Sequence, residues 1–163
     1  MPKLPRKLLL PGQYYITNAN MILETLLGSC VAVCIYNTKN GFTAMNHFMN
    51  DKPADPNDLD TGRYGTTSTE YIIKKLLDID PDVNHYKAEL YGGAAVIKTQ
   101  NSADIGKKNL RVAIFMLQAY GIRIVKKEIA GTRGRRINFD TTNNSIKWRY
   151  TGDIPRKYPP MDR

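Results

Sequence analysis

The sequence predicts a single α+β domain, and three observations carry that prediction. Apolar residues recur at helical spacing in only two stretches, near 68–79 and 102–120, while six or seven short β-prone runs surround them. These runs do not alternate regularly with helices, which separates the pattern from a doubly wound parallel sheet. The chain has 163 residues, the size of one domain with its own core.

The first dozen residues hold three prolines, so residues 1–12 are expected to be a flexible N-terminal arm. From Tyr14 the chain turns apolar and β-prone, and Met21 to Leu27 leads into Gly28-Ser29-Cys30. Val31 to Tyr36 carries no charge and reads as a buried strand. Asn37 to Gly41 supplies turn chemistry, and Phe42 to Met49 reads as the returning strand of a hairpin with Cys30–Tyr36. A polar segment, residues 50–65, carries four aspartates and is long enough to suggest a functional surface. Thr67 and Glu70 fit a capping box at the start of the first helix. Leu90 to Ile97 reads as a strand broken by Gly92-Gly93, and Ser102 and Asp104 open the second helix, with Gly121 just past its end. Ile122–Ile129, Arg136–Asp140 and Ser145–Tyr150 complete the strands, the last two joined through Asn143-Asn144. The tail, residues 151–163, is proline-rich and expected to lack regular structure.

There are 24 basic against 15 acidic residues, a net charge of +9, which favours acidic partners without choosing among them. Hydrophobic residues at 42% exclude a disordered chain. Two cysteines are too few for a disulfide scaffold, and no apolar run approaches the length of a membrane span or a signal peptide's apolar segment. A cytoplasmic protein without membrane insertion is the simplest expectation.

Cys30 and Cys34, with only two histidines in the chain, make a poor zinc site, so no metal is expected. Cys34 sits inside a β-branched run and reads as core packing. Cys30 follows Gly28-Ser29 at the mouth of a strand. A tight turn there exposes a sulfur and gathers backbone N–H groups, a setting for a thiolate of lowered pKa and a developing oxyanion. A thiol nucleophile needs a base. In a hairpin centred on Lys39-Asn40, His47 falls opposite Ala32 and near Cys30, while His85 lies in polar surroundings and is expected to be exposed. Gly131 to Arg136 is a basic turn able to grip a phosphate but read foremost as a solvated hairpin tip. Neither a phosphate-binding loop nor a dinucleotide fingerprint is present, and the aromatic and basic pattern of an RNA-binding strand pair is absent. Nucleic acid is therefore not an expected partner.

Leu26-Leu27-Gly28-Ser29-Cys30-Val31-Ala32-Val33-Cys34, followed by Met45-Asn46-His47-Phe48-Met49, resembles the CheD family, the chemoreceptor glutamine deamidases of bacterial chemotaxis. The likeness continues through Arg63-Tyr64-Gly65, Tyr91-Gly92-Gly93-Ala94, Gly106 to Asn109, Ala119 to Ile122 and Gly131 to Asp140, and so covers roughly 13–150. The resemblance implies a deamidase domain over 13–150 with a β-sandwich-like core of mixed sheets and two main helices packed outside. It implies a cysteine hydrolase, a protein-glutamine glutaminase that converts receptor glutamines to glutamate without a cofactor, with glutamyl methyl esters as a further substrate class. Cys30 matches the family nucleophile and His47 the base, while Gly28 and Ser29 stand where oxyanion donors are wanted. The third family member is a threonine: Thr25 matches it by type, whereas the family spacing, six before the cysteine, falls on Glu24. Implied partners are chemoreceptor cytoplasmic domains and a CheC-type phosphatase. The rival reading is a weakly active or inactive regulatory partner of that phosphatase.

Overall fold

The computed structural model describes residues 3–96 and 100–152, apart from the side chains of 100–103. The described strands are β1 (Arg6–Leu8), β2 (Tyr14–Thr17), β3 (Ile22–Leu27), β4 (Val31–Asn37), β5 (Thr43–Asn46), β6 (Tyr86–Gly92), β7 (Arg123–Ile129), β8 (Arg135–Asp140) and β9 (Ser145–Tyr150). The helices are α1 (Gly65–Ile79) and α2 (Gln100–Ala119). The strands form two mixed sheets, one of four in the order β1-β3-β8-β9 and one of five in the order β2-β5-β4-β6-β7.

Strand β4 shows why the layers stack as they do. All seven of its residues are buried, so both faces of the five-stranded sheet are covered. Val31, Val33 and Ile35 pack with Ile72, Ile73 and Leu76 of α1 and Leu110, Ala113 and Leu117 of α2. Ala32, Cys34 and Tyr36, on the other face, meet Leu23, Leu27, Ile137 and Phe139 of the four-stranded sheet. The strand period of two therefore divides the core into a helix-facing half and a sheet-facing half. Both helices lie on the same face. The architecture is α+β, with mixed sheets and two helices, as expected.

The hairpin has the expected register: Cys34 pairs with Met45, Ile35 with Ala44 and Tyr36 with Thr43, and a bridge joins Val31 to Phe48. Its turn is organised by Asn37, whose Oδ1 accepts the N–H groups of Lys39 and Asn40, and by Gly41 at φ +79.

Several local expectations are corrected. Residues 1–12 do not form only a loose arm. Arg6–Leu8 pairs in parallel with Ile22–Glu24, and Leu9 is buried between the sheets. Its apolar leucines find a sheet edge that local pattern does not reveal. The capping box does not form, because α1 starts earlier, at Gly65. Thr67 then lies within the first turn and donates to the carbonyls of Thr61 and Tyr64, while Glu70 accepts from Tyr120. The broken strand lies further upstream than expected, ending where Gly92 and Gly93 take φ of +105 and +73. Gly131 to Gly134 is not a hairpin tip. It carries the chain from the five-stranded sheet to the four-stranded one, and Arg135 is buried against Trp148 and Tyr150 with Nη1 donating to Ala130 O. Beyond Gly152 the proline-rich tail lies outside the described residues.

Candidate active site

Gly28-Ser29-Cys30 is the link between β3 and β4, the point where the chain leaves the four-stranded sheet and enters the five-stranded one. Thr25 precedes this link on β3 and His47 follows β5, so the two residues approach from opposite sheets. Asn46 decides which way His47 points. Its Oδ1 accepts from Val33 N–H at 2.7 Å and its Nδ2 donates to Ser68 and Thr69 of α1, so residue 46 belongs to the helix side. The next residue then faces the space between the sheets. The His47 main chain is held on both sides, its N–H donating to Gln13 O at 2.9 Å and its carbonyl accepting from Gly12 N–H at 2.8 Å.

His47 is 2% exposed, and its Nδ1 lies 2.7 Å from Thr25 Oγ1. The hydroxyl has one proton, and Thr25 donates it to Leu9 O at 2.7 Å. Thr25 therefore accepts from His47, which places the ring proton on Nδ1 and leaves Nε2 with a lone pair. Nε2 is buried with no hydrogen-bond partner among the described residues. Burial pushes the imidazole pKa down to about 4, so the ring is neutral at physiological pH.

Cys30 is half-buried and packs against the inter-sheet core. The Val31–Phe48 bridge makes it a diagonal neighbour of His47 across the hairpin. Its thiol pKa is raised by burial, the reverse of the lowered value expected from the glycine turn. The physical reason is that the turn brings shielding from water without a cation to balance it. The resting pair is consequently a neutral thiol beside a neutral imidazole, and no hydrogen bond joins them, since Nε2 has no partner. Cys34 is fully buried, and burial raises its thiol pKa further, with the Glu89 carboxylate adding to the effect.

The turn itself is oriented by its carbonyls. Gly28 O accepts from Ala94 N–H at 3.0 Å, Ser29 O from Asn109 Nδ2 at 3.0 Å, and Cys30 O from Gly93 N–H at 2.9 Å. The N–H groups of Gly28, Ser29 and Cys30 make no hydrogen bond to another described residue. A half-buried turn whose carbonyls are bound, and whose N–H groups make no bond to another described residue, lies beside a thiol and is suited to receive an oxyanion.

Glu24 does not reach His47. It lies on the opposite face of β3, with Arg6 at 2.8 Å and Arg136 at 3.4 Å, and the Arg6 hydrogen bond holds its carboxyl below the usual range. Neighbouring strand residues face opposite sides, so only one of the pair can enter the core. His85 is remote from this site and pairs with Asp80 and Asp82. The Leu9 carbonyl had no sequence signal, since it lies in the segment expected to be loose. Asn109 ends one of the stretches that carry the family resemblance, but nothing local ties it to Ser29, 80 residues away. Among the described residues no group of three or more metal-ligating side chains converges, and no helix is long and apolar enough to cross a membrane.

The family profile described as CheD chemotactic sensory transduction matches residues 48–150. The chain is 36% identical over 157 residues to the "probable chemoreceptor glutamine deamidase CheD 2" of Shewanella oneidensis, covering 91% of this chain and 76% of that protein. It is 35% identical over 133 residues to the "probable chemoreceptor glutamine deamidase CheD 1" of Dechloromonas aromatica, covering 80% of this chain and 66% of the relative. Against the protein of the same name from Geobacter sulfurreducens it is 32% identical over 145 residues, covering 83% and 72%. Among solved structures, a hypothetical protein YfiH of Bacillus licheniformis aligns at 12% identity and a TM-score of 0.43, over 71% of this chain and 49% of that one, a likeness too low to carry an argument.

Proposed function

The chain belongs to the CheD family of chemotactic sensory transduction proteins, and on that premise we propose that it is a chemoreceptor glutamine deamidase acting through Cys30 and His47. The observation that carries the chemistry is the Thr25–His47 hydrogen bond of 2.7 Å, which leaves a neutral ring with an unoccupied Nε2 beside the Cys30 turn. The relatives' names support the substrate class, a glutamine side chain of a receptor.

In this reading His47 Nε2 takes the Cys30 thiol proton as the sulfur attacks the glutamine carboxamide carbon. The C–S bond forms while the C=O electrons move onto oxygen, which the N–H groups of the turn stabilise. The oxyanion collapses, the C–N bond breaks, and His47 returns the proton to the leaving nitrogen, so ammonia departs and a thioester remains. His47 then takes a proton from water as hydroxide adds to the thioester; the C–S bond breaks, His47 returns the proton to the Cys30 sulfur, and glutamate is released. No cofactor enters these steps. Proton transfer from a neutral thiol at the moment of attack follows from the raised Cys30 pKa and the lowered His47 pKa. Thr25 orients the ring without adding charge, which keeps the imidazole basic form populated. Gly28, Ser29 and Cys30 are the oxyanion donors of this scheme.

Glutamyl methyl esters, with the same acyl carbon and a better leaving group, are a second proposed substrate, and a CheC-type phosphatase a proposed partner in the cytoplasm. The test is mass spectrometry of a receptor cytoplasmic domain co-expressed with this chain. The expected result is amide-to-acid conversion at particular glutamines, absent with Cys30→Ala. A receptor unchanged by the wild-type chain overturns the reading and leaves a regulatory partner in its place.

A further inference from the structure

Asn109 projects from α2 into the junction between the nucleophile turn and the histidine strand. Its Nδ2 donates to Ser29 O and to Met49 O, both at 3.0 Å. Ser29 precedes Cys30, and Met49 lies two residues beyond His47. The side chain is fully buried, yet its Oδ1 has no partner among the described residues. The two N–H bonds of a primary amide diverge at a fixed angle in one plane. They therefore fix where the two carbonyls stand relative to each other, rather than merely attracting them.

The peptide geometry extends this to the reacting centre. In a trans peptide the C=O of one residue and the N–H of the next lie in one plane and point in opposite directions. Holding Ser29 O toward α2 accordingly aims Cys30 N–H away from α2. That N–H makes no hydrogen bond to another described residue. We propose that Asn109 is a positioning residue which turns the Ser29–Cys30 peptide so that Cys30 N–H serves as an oxyanion donor, with the Met49 contact keeping the turn in register with His47. The proposal rests on the deamidase reading and assigns that reaction a residue outside the Cys-His-Thr set.

The test compares Asn109→Asp, which keeps the shape but sets one oxygen, in place of Nδ2, against both carbonyls, and the smaller Asn109→Ser, which removes both N–H donors and decides the matter if the aspartate variant does not fold. The control is Tyr86→Phe, because Tyr86 also bridges two carbonyls, Leu76 O and Asp80 O, away from the site. Three quantities are read: kcat and KM for ammonia release from a receptor cytoplasmic domain, the rate of Cys30 alkylation by iodoacetamide, and the melting temperature. Alkylation is a displacement at carbon with no tetrahedral oxyanion, so it reports on the thiol but not on the donor. Loss of an oxyanion donor predicts a fall in kcat on the order of 10²-fold with KM and alkylation each within about 3-fold of wild type. Tyr86→Phe should lower the melting temperature and leave kcat and alkylation as they were. Asn109 variants with wild-type kcat, or with kcat and alkylation falling by the same factor, overturn the proposal. A peptide carrying an aldehyde in place of the glutamine carboxamide separates this failure from that of the premise. Cys30 adds to the aldehyde carbon and the thiol proton goes to its oxygen, giving a hemithioacetal at the same donors without ammonia release. A wild-type chain that neither releases ammonia nor captures the aldehyde overturns the deamidase reading and the proposal with it. A wild-type chain that captures it no better than the Asn109 variants overturns the Asn109 role alone.

Discussion

His47 and His85 each place Nδ1 2.7 Å from an oxygen, and the two rings are nonetheless built for different work. His47 meets a threonine hydroxyl, is almost wholly buried and keeps Nε2 without a partner. His85 meets the Asp80 carboxylate, has a side chain 32% exposed, and sets Nε2 3.2 Å from Asp82. Both nitrogens of His85 are thus engaged by acidic groups, and Asp80 is held down to about 2, first by its Asn37 hydrogen bond and then by His85. The comparison teaches that bond length does not identify a base. An orienting group without charge, burial, and one nitrogen left open together produce a neutral ring with a lone pair to offer. Two carboxylates at a surface turn produce a structural tie between the end of α1 and the start of β6.

The sharpest way to break the comparison is to remove the thiol it depends on. Cys30→Ala should abolish ammonia release with the melting temperature close to wild type, whereas Cys34→Ala should retain activity and lose stability, because Cys34 is fully buried packing. Native-state iodoacetamide labelling with peptide mapping gives an independent check, and faster modification of Cys34 would reverse the assignment. Next in size, His47→Ala should lower kcat/KM by on the order of 10²-fold or more, while His85→Ala should stay within about 2-fold. A dead His85 variant beside an active His47 variant would invert the two rings' roles.

Thr25 comes third. Thr25→Val leaves His47 Nδ1–H and Leu9 O without partners, which should cost about 1–3 kcal/mol of stability. It should also lower kcat by roughly 10-fold or more through loss of ring orientation. Thr25→Ser restores the hydroxyl and should recover most of the rate. Glu24→Gln, on the far face of the strand, should leave rate and pH profile nearly unchanged, and a crippled Glu24→Gln enzyme would transfer the orienting role outward.

The smallest effect is on the pH dependence of folding. The unfolded chain's imidazole takes a proton below about 6.5, but folded His47 takes it only below about 4. Between these values the unfolded state binds more protons, so stability contributed by neutral His47 is present above pH 6.5 and is lost as pH falls toward 4. Urea midpoints measured across this window should fall with pH in the wild type and fall less in His47→Gln. Equal slopes would mean that burial does not set the proton affinity of this ring.

Much of the site's frame was legible because it is local. Asn37 to Gly41 is a turn by composition, and a turn centred on Lys39-Asn40 places residue 47 opposite residue 32, the register that the Cys34–Met45 and Val31–Phe48 pairs realise. The charge-free run after Cys30 reads as a buried strand, and strand alternation alone says that Glu24 and Thr25 cannot both face inward. Other parts were not legible. The capping box matched in letters, but α1 begins at Gly65, just after a 3-10 turn at Thr61–Arg63 and packed against Val112 of α2 and Phe48, so local preference yielded to packing. Leu8 to Leu10 followed prolines and looked untethered, although Leu9 closes the core and its carbonyl receives the Thr25 proton.

The sequence by itself determined the class of fold, the hairpin register, and the identity of the groups able to do thiol chemistry, since each of these follows from side-chain type and periods of two or 3.6 residues. The tertiary structure alone decided which strands share a sheet, that β3 and β5 face each other so that Thr25 meets His47, and that Asn109 reaches Ser29 from 80 residues away. It also decided the proton affinities, reversing the expectation for Cys30, because a pKa depends on how much water and charge surround a group from every side. Pattern along a chain records what each short segment prefers. Which distant segments enclose one sulfur and one imidazole is settled only when the two sheets close on a common core.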